Sequence, residues 1–285
     1  MMAPRRSWLF VPGADAAAHQ AAARSGADVM VLDLEDFTPP ELRPKARALA
    51  AAAMERWRKT GAVPAVRINP LAGCGLEDLL GVLPGQPQIV LMSKVDAPEQ
   101  MAALEQATGG AVELVPNIES AAGLMRALEV ASASRRVSAM LLASEDMVAD
   151  LGTVRSRSGE ELAYVRAHFL VACRAAGVEA IDCPYTFSDV KGAAADARYA
   201  KRLGYRMKSL VDPSHARAVN KVFTPGRKEL DQARRVVQAF EKARARGKDR
   251  ARIGGALVEL PIYAAAKRLL ESAARSSPPR RRRRG

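Results

Sequence analysis

The chain has 285 residues, 48% of them apolar, and a net charge of +13, five units of which come from Arg280–Arg284. That apolar content excludes a largely disordered chain, no apolar run reaches the ~20 residues that span a bilayer, and Met1–Arg6 followed by the short Ser7–Gly13 does not read as a secretory signal. Cys74, Cys173 and Cys183 are scattered and odd in number, which argues against a zinc knuckle or a disulfide framework and points to a reduced, cytoplasmic protein.

Short apolar runs alternate with Ala-rich amphipathic stretches. Ser7–Val11 is the first apolar run, closed by Pro12-Gly13, and Ala14–Ser25 reads as a helix stopped by Gly26. Asp28–Leu34 is the second run, and Pro40–Arg58 the helix after it, with Pro in its first turn. Val63–Ile68 and Gln88–Met92 are the third and fourth runs, separated by a short helix at Gly75–Leu83. Pro98–Ala107 is helical, Ala111–Asn117 is the fifth strand, and Glu119–Ala131 is helical again. Val137–Ala143, Val178–Asp182 and Tyr205–Val211 complete eight strands, followed by helices at Gly159–Ala176, Asp189–Leu203 and Ser214–Val222. Strands alternating with helices imply parallel βαβ units, and eight of them predict a closed (β/α)8 TIM barrel over residues 1–224. Residues 225–275 read as a C-terminal helical extension that packs on the barrel or lies at a subunit interface. It has a charged helix at Arg227–Arg246 and a Gly254-Gly255 turn before the apolar Ala256–Leu270. Residues 276–285 read as a disordered Arg-rich tail, able to meet nucleic acid non-specifically at low salt but not as a specific partner.

In such a barrel the chemistry gathers at the C-terminal ends of the strands. The second strand ends in Asp33-Leu34-Glu35-Asp36, the third in Arg67-Ile68-Asn69 and the fourth at Ser93-Lys94. The fifth ends in Asn117-Ile118-Glu119-Ser120 and the sixth in Ser144-Glu145-Asp146. Polar groups thus converge on one face from five consecutive strands, with no His among them. Carboxylate oxygens suit Mg2+ or Mn2+, whereas zinc catalysis normally asks for His. Glu119 and Asp146, from adjacent strand ends, form a candidate metal pair, and Arg67 offers a planar fork to a substrate carboxylate. A metal beside such an arginine can hold an α-keto or β-hydroxy acid and stabilise an enolate while a carbon–carbon bond breaks. The P-loop, the Rossmann glycine fingerprint and the G-x-S-x-G elbow are absent. His19 and His168 fall inside helical stretches and read as surface or packing residues, while His215, just after the eighth strand, is more open to a role at the mouth.

Several segments occur in a set order: Arg6-Ser7-Trp8-Leu9-Phe10-Val11-Pro12-Gly13, Leu32-Asp33-Leu34-Glu35-Asp36 with Lys45-Ala46-Arg47, and Val66-Arg67-Ile68-Asn69. Ile118-Glu119-Ser120 follows, then Ser144-Glu145-Asp146-Met147 with Asp150-Leu151-Gly152. Together they resemble the motifs of citrate lyase beta-subunit-like proteins of the HpcH/HpaI aldolase family, from about Arg6 to Leu270. The resemblance implies a Mg2+-dependent lyase, homo-oligomeric as a trimer or hexamer. Its substrate would be a small carboxylic acid or CoA thioester, such as malyl-CoA, citramalyl-CoA or a citryl thioester. By motif match it implies that Glu119 and Asp146 ligate the metal and that Arg67 binds the substrate carboxylate. Asp36 would order metal-bound water. Pro12 and Gly13 would line the mouth, with Asn69 and Lys94 among the substrate-binding groups.

Two places depart from the family pattern. After the eighth strand the family reads Gly-Lys-x-x-Ile-His-Pro, whereas this chain has Met207-Lys208-Ser209-Leu210-Val211-Asp212-Pro213. Near the C-terminus a family Asp, an acid/base across a subunit boundary, is matched by Glu259 in Val258-Glu259-Leu260-Pro261. Both changes bear on substrate identity more than on reaction class. Thioester hydrolysis on the same site, and a non-catalytic basic binding protein on a retained barrel, are the competing readings.

Overall fold

The computed structural model describes residues 5–110 and 112–276. Ala111, the expected start of the fifth strand, and all of the expected Arg-rich tail except Ser276 lie outside the described residues. The chain divides into two compact units, Arg5–Phe223 and a C-terminal unit that begins at Thr224.

The first unit is built on eight parallel strands. They are β1 (Ser7–Pro12), β2 (Val29–Asp33), β3 (Val63–Ile68), β4 (Ile89–Met92), β5 (Glu113–Ile118), β6 (Ala139–Leu142), β7 (Glu179–Asp182) and β8 (Met207–Leu210). They pair in chain order, and β8 pairs back onto β1 at Ser7↔Lys208, Trp8↔Ser209 and Leu9↔Leu210, which closes the barrel. The helices in turn are α1 (Ala16–Ser25), α2 (Arg43–Lys59), α3 (Gly75–Val82), α4 (Pro98–Thr108) and α5 (Ala121–Met125). They continue as α6 (Ala127–Ser132), α7 (Glu145–Asp150), α8 (Ala163–Ala176), α9 (Val190–Leu203) and α10 (Ala216–Phe223).

Two local expectations change. The helix read at Glu119–Ala131 is two helices, broken at Arg126 (φ −103°, ψ 9°), and it starts only at Ala121 because Ser120 caps α5 by accepting from Gly123 N at 3.0 Å. That leaves Glu119 outside the helix, at the end of β5. Helix α7, a single six-residue stretch, is too short to show a 3.6-residue period, and the sequence reading misses it.

Strand side chains alternate between two cores. Trp8, Phe10, Val29, Val31, Val63, Ala65, Ile89, Leu91, Val115, Leu141, Ile181 and Met207 fill the barrel interior. The intervening residues, such as Leu9, Met30, Val66 and Val90, pack outward against helices through small residues such as Ala46, Ala50 and Ala53 of α2. Following the inward positions one step further along each strand leads to Asp33, Arg67 and Asn117. The period that fills the core therefore also sets the polar side chains at the mouth.

The C-terminal unit contains α11 (Arg227–Arg244), β9 (Ala251–Ile253), β10 (Ala256–Val258) and α12 (Leu260–Ser276). Between its two helices lies an antiparallel hairpin, β9–β10, at the Gly254-Gly255 turn, which the helical extension read from the sequence does not include. Its three-residue strands are too short for alternation to show, but the turn is legible: Gly254 and Gly255 have φ of +53° and +83°, the two positive values that a tight hairpin turn requires. Val236, Phe240 and Val258 form this unit's own core, with Tyr263 stacked on Phe240 at 4.7 Å between centroids.

Candidate active site

Arg67 is the centre of the barrel mouth. Only 5% of it is exposed, and its guanidinium lies 4.9 Å from the Phe10 ring centroid. Strand register sets Pro12 beside Asp33 and Asp33 beside Arg67. Asp33, fully buried, accepts from Arg67 Nε at 2.6 Å and from Nη2 at 2.7 Å in a bidentate pair. The fork that the sequence reading gives to a substrate is thus held on one edge by the protein's own Asp33. Nη2 also meets Asp36 at 3.2 Å, and Nη1 meets Glu35 at 3.0 Å. Burial alone would lower the Arg67 pKa, but Asp33, then Glu35 and Asp36, outweigh it and hold it raised.

Glu35 bridges two cations, since its second oxygen lies 2.7 Å from Lys94 Nζ. That hydrogen bond raises the Lys94 pKa. Lys94 itself has φ of +53°, a left-handed conformation that costs a non-glycine residue about 1–2 kcal/mol. The sequence reading sets Asp33 and Glu35 at the mouth but gives neither a role there. Asp33 could have been found from inward parity on β2, whereas the bridging role of Glu35 depends on the loop beyond the strand.

Glu119 is 4% exposed. Its Oε1 accepts from Asn117 Nδ2 at 2.5 Å and lies 4.0 Å from Arg67 Nη1, while its buried Oε2 has no hydrogen-bond partner among the described residues. Burial first, then the charge of Glu35, pushes this carboxyl up to about 8; Arg67 opposes the rise, and Asp146 and Asp36 add to it. Asp146, in the first turn of α7, is thus close enough to act on Glu119 electrostatically. A bare buried oxygen facing further carboxylates is an environment that a cation would relieve. Among the described residues no three His, Cys, Asp or Glu side chains form a closed metal cage. A metal here would take the two carboxylates Glu119 and Asp146 and complete its shell with water and substrate oxygens, which fits Mg2+.

The remaining expected residues fall in different places. Asn69 is turned to its neighbours on β2 and α3: its Nδ2 donates to Leu34 O, just after β2, at 2.8 Å and to Asp78 Oδ2 of α3 at 2.7 Å, so both amide hydrogens are used within the protein. Glu259 is an exposed residue of the C-terminal unit, where its carbonyl accepts from Tyr263 N at the start of α12. Pro12 ends β1 half-buried, and its carbonyl is 3.0 Å from His19 Nε2, which makes His19 a packing residue against Trp57. Gly13 N donates to Asp33 O at 3.0 Å and to Thr38 Oγ1 at 2.9 Å. A Cβ at Gly13 would stand 2.5 Å from Asp33 O and 2.9 Å from Ala46 Cβ. Gly13→Ala is therefore expected to destabilise the chain by about 1–3 kcal/mol through overpacking. Thermal unfolding checks this, and an unchanged Tm would mean that the β2 end gives way freely.

The departures after β8 have local reasons. Met207 fills the barrel interior, and Asp212 accepts from Ser214 N at 2.8 Å, capping the turn at Pro213–His215. Lys208, fully buried on the outer face of β8, donates to Asp182 Oδ2 at 2.6 Å and to Cys183 O, and also pairs with Asp196. Arg166 of α8 meets Asp182 in a bidentate pair at 2.9 and 2.7 Å and Asp196 of α9 at 2.7 Å. This network ties β7 and β8 to the two helices that cover them.

Comparison with known proteins adds the following. The family model described as HpcH/HpaI aldolase/citrate lyase matches residues 6–213. Citrate lyase subunit beta of Escherichia coli (strain K12) is 34% identical over 281 residues, covering 94% of this chain and 93% of that protein. L-malyl-CoA/beta-methylmalyl-CoA lyase of Cereibacter sphaeroides (strain ATCC 17025 / ATH 2.4.3) is 31% identical over 303 residues, covering 95% of each. Among solved structures, protein CitE from Mycobacterium tuberculosis in complex with magnesium, acetoacetate and coenzyme A superposes with a TM-score of 0.78 at 27% identity. That match covers 95% of this chain and 99% of that one. Among the described residues no helix is long and apolar enough to cross a membrane.

Proposed function

Because the chain belongs to the HpcH/HpaI aldolase/citrate lyase family, we propose that its barrel mouth is the active site of a magnesium-dependent carbon–carbon lyase acting on a short 3-hydroxyacyl thioester. The observation that carries this reading is the buried, unpartnered Oε2 of Glu119 among further carboxylates. Relatives named for citrate and for malyl-CoA or beta-methylmalyl-CoA, and a structural neighbour holding magnesium, acetoacetate and coenzyme A, support the substrate class. A citryl, malyl or citramalyl thioester is the finer proposal, with Mn2+ able to stand in for Mg2+.

In this reading Glu119 and Asp146 hold the metal, with Asp36 orienting water beside it. When bound, Mg2+ would polarise the substrate oxygen and offset the negative charge that develops as the bond breaks. Arg67 receives the substrate carboxylate at the Nη1 edge, where the carboxylate would share that nitrogen with Glu35, 3.0 Å away, while Asp33 keeps the guanidinium plane fixed. Lys94 and the Pro12-Gly13 turn border the same opening. Asn69 supports the loop beneath them rather than meeting substrate. In the cleavage direction the substrate hydroxyl loses its proton and the carbon–carbon bond breaks to leave a carbonyl. The electron pair passes to the acyl fragment, whose carbon is then protonated. By its motif match Glu259 of the C-terminal unit is assigned both halves of the transfer, taking the hydroxyl proton as base and returning it to that carbon as acid. A homo-oligomer, trimer or hexamer, with the C-terminal unit at a subunit interface, belongs to the same proposal.

The test is release of keto acid or glyoxylate from malyl-CoA, citramalyl-CoA and citryl-CoA, with Mg2+, with Mn2+ and with chelator. Metal-dependent carbonyl release is the expected result. Free CoA without a carbonyl product would replace the lyase by a thioester hydrolase, and no turnover in any arm would remove the thioester assignment.

A further inference from the structure

Nearly all of the chain's net charge belongs to its C-terminal part. Residues 224–285 hold 18 of the 44 Lys and Arg but only 6 of the 31 Asp and Glu, a net of +12. Residues 1–223 hold 26 cations and 25 carboxylates, a net of +1. Fourteen of the 18 C-terminal cations are arginines, whose planar fork matches phosphate oxygens.

The structure gives this charge an arrangement. In α11 the buried Ala233, Val236 and Phe240 recur at helical spacing, and the last two face the unit's own core. Arg227, Arg234, Arg235 and Lys242 stand at i, i+7, i+8 and i+15, on the opposite side of the helix, and all four are exposed. Asp231 interrupts this face and pairs with Arg234 at 2.7 Å and Arg227 at 3.7 Å. The row from Arg227 to Lys242 is about 22 Å long at ~1.5 Å per residue. One strand of a duplex presents roughly six phosphates over that length.

The same unit argues against other modes of binding. Phe240 and Tyr263 are the only aromatic residues in 224–285, and they stack on each other, so bases find no stacking platform there. A helix that lies in a membrane surface needs a free apolar face, and the apolar seam of α11 is already buried in its own unit. We propose that the C-terminal unit binds the phosphodiester backbone of nucleic acid without sequence preference, as a second activity independent of the barrel chemistry.

The test uses the full chain with fluorescent RNA and duplex DNA of mixed sequence, by anisotropy, between about 50 and about 200 mM salt. Affinity should not depend on sequence and should fall with salt at a logarithmic slope of about −0.9 per contacted duplex phosphate, steeper than about −3 in all. Arg235→Glu with Lys242→Glu, two positions outside the Asp231 pairs, should weaken binding at least about tenfold and flatten the slope by about 2. Thermal unfolding and metal-dependent turnover should stay as in the parent chain; should the double variant unfold, Arg235→Gln with Lys242→Gln repeats the test. Unchanged binding by a folded double variant would overturn the proposal, as would loss of all binding on removing residues 277–285 alone. Tighter binding to anionic phosphatidylglycerol vesicles or to polyglutamate than to RNA would assign the surface to a different partner class and equally overturn it.

Discussion

Glu119→Gln is expected to remove Mg2+ binding in the working concentration range and to cut metal-dependent turnover by about a hundred- to a thousandfold. The amide keeps the shape and can still accept from Asn117 at the Oε1 position, but it puts an NH2, which cannot ligate a metal, in place of Oε2, the oxygen that has no partner among the described residues. Preorganised charge contacts of this kind are worth about 3–4 kcal/mol in the transition state. The fold should tolerate the change. Burial, then Glu35, already moves this carboxyl up to about 8, so a neutral side chain suits the metal-free mouth at neutral pH. Calorimetric titration with Mg2+, alongside steady-state turnover, reads both effects. Metal affinity within about threefold of the parent would sink the assignment of Glu119 as a ligand, a threshold set by the 10–100-fold that even supporting residues normally cost.

Lys208→Met is expected to destabilise the barrel by about 3–5 kcal/mol, because it leaves buried Asp182 and Asp196 to share the single cation Arg166. For a chain of this size that is roughly 10 °C in Tm. The network also carries a pH signature. Burial alone would raise the Asp196 pKa, but Lys208 and then Arg166 overcome it and hold the carboxyl at about 2. A depressed carboxyl contributes stability above its ordinary value and loses it as pH falls towards the folded one. The parent should therefore lose stability between about pH 4 and pH 2. Lys208→Met should lose less over that window, having lost the larger of the two stabilising charges already. A Tm of Lys208→Met equal to the parent's at pH 7 would show that the pairs contribute nothing net. The double variant Lys208→Met, Asp196→Asn should cost less than the sum of its parts, since the two residues share one interaction.

The barrel is legible in the sequence because each strand is a short apolar run bounded by breakers, and eight such runs leave few alternatives. The mouth is legible for a related reason: where an inward-facing series runs from apolar into polar residues, as at Val63, Ala65, Arg67 or Val115, Asn117, Glu119, the polar groups stand at or just beyond the strand end. What the sequence does not show is partner choice. That Asp33 takes one edge of Arg67 follows from the register between β2 and β3, and a linear reading has no access to it. Asn69 reads like any strand-end polar residue, and only the approach of Asp78 from α3 reveals that its amide is used. Lys208 sits in a four-residue strand where a single charge reads as solvent-facing, yet Arg166, Asp182 and Asp196 enclose it from three different elements. Helix α7 and the β9–β10 hairpin are too short for any period to register.

The pairing of β1 with β8 has a consequence for how the chain is made. Ser7 finds its partner Lys208 only after some two hundred further residues have been synthesised. At roughly 5–20 residues per second, the first strand waits on the order of 10–40 s for its neighbour. During that interval Trp8 and Phe10, buried in the finished barrel, have no completed interior to enter. The nascent chain therefore presents its most aromatic strand to the ribosome surface and to chaperones until the last strand emerges. Ribosome-bound intermediates halted before residue 207 should capture hydrophobic-binding chaperones, and those halted well beyond residue 223 should not.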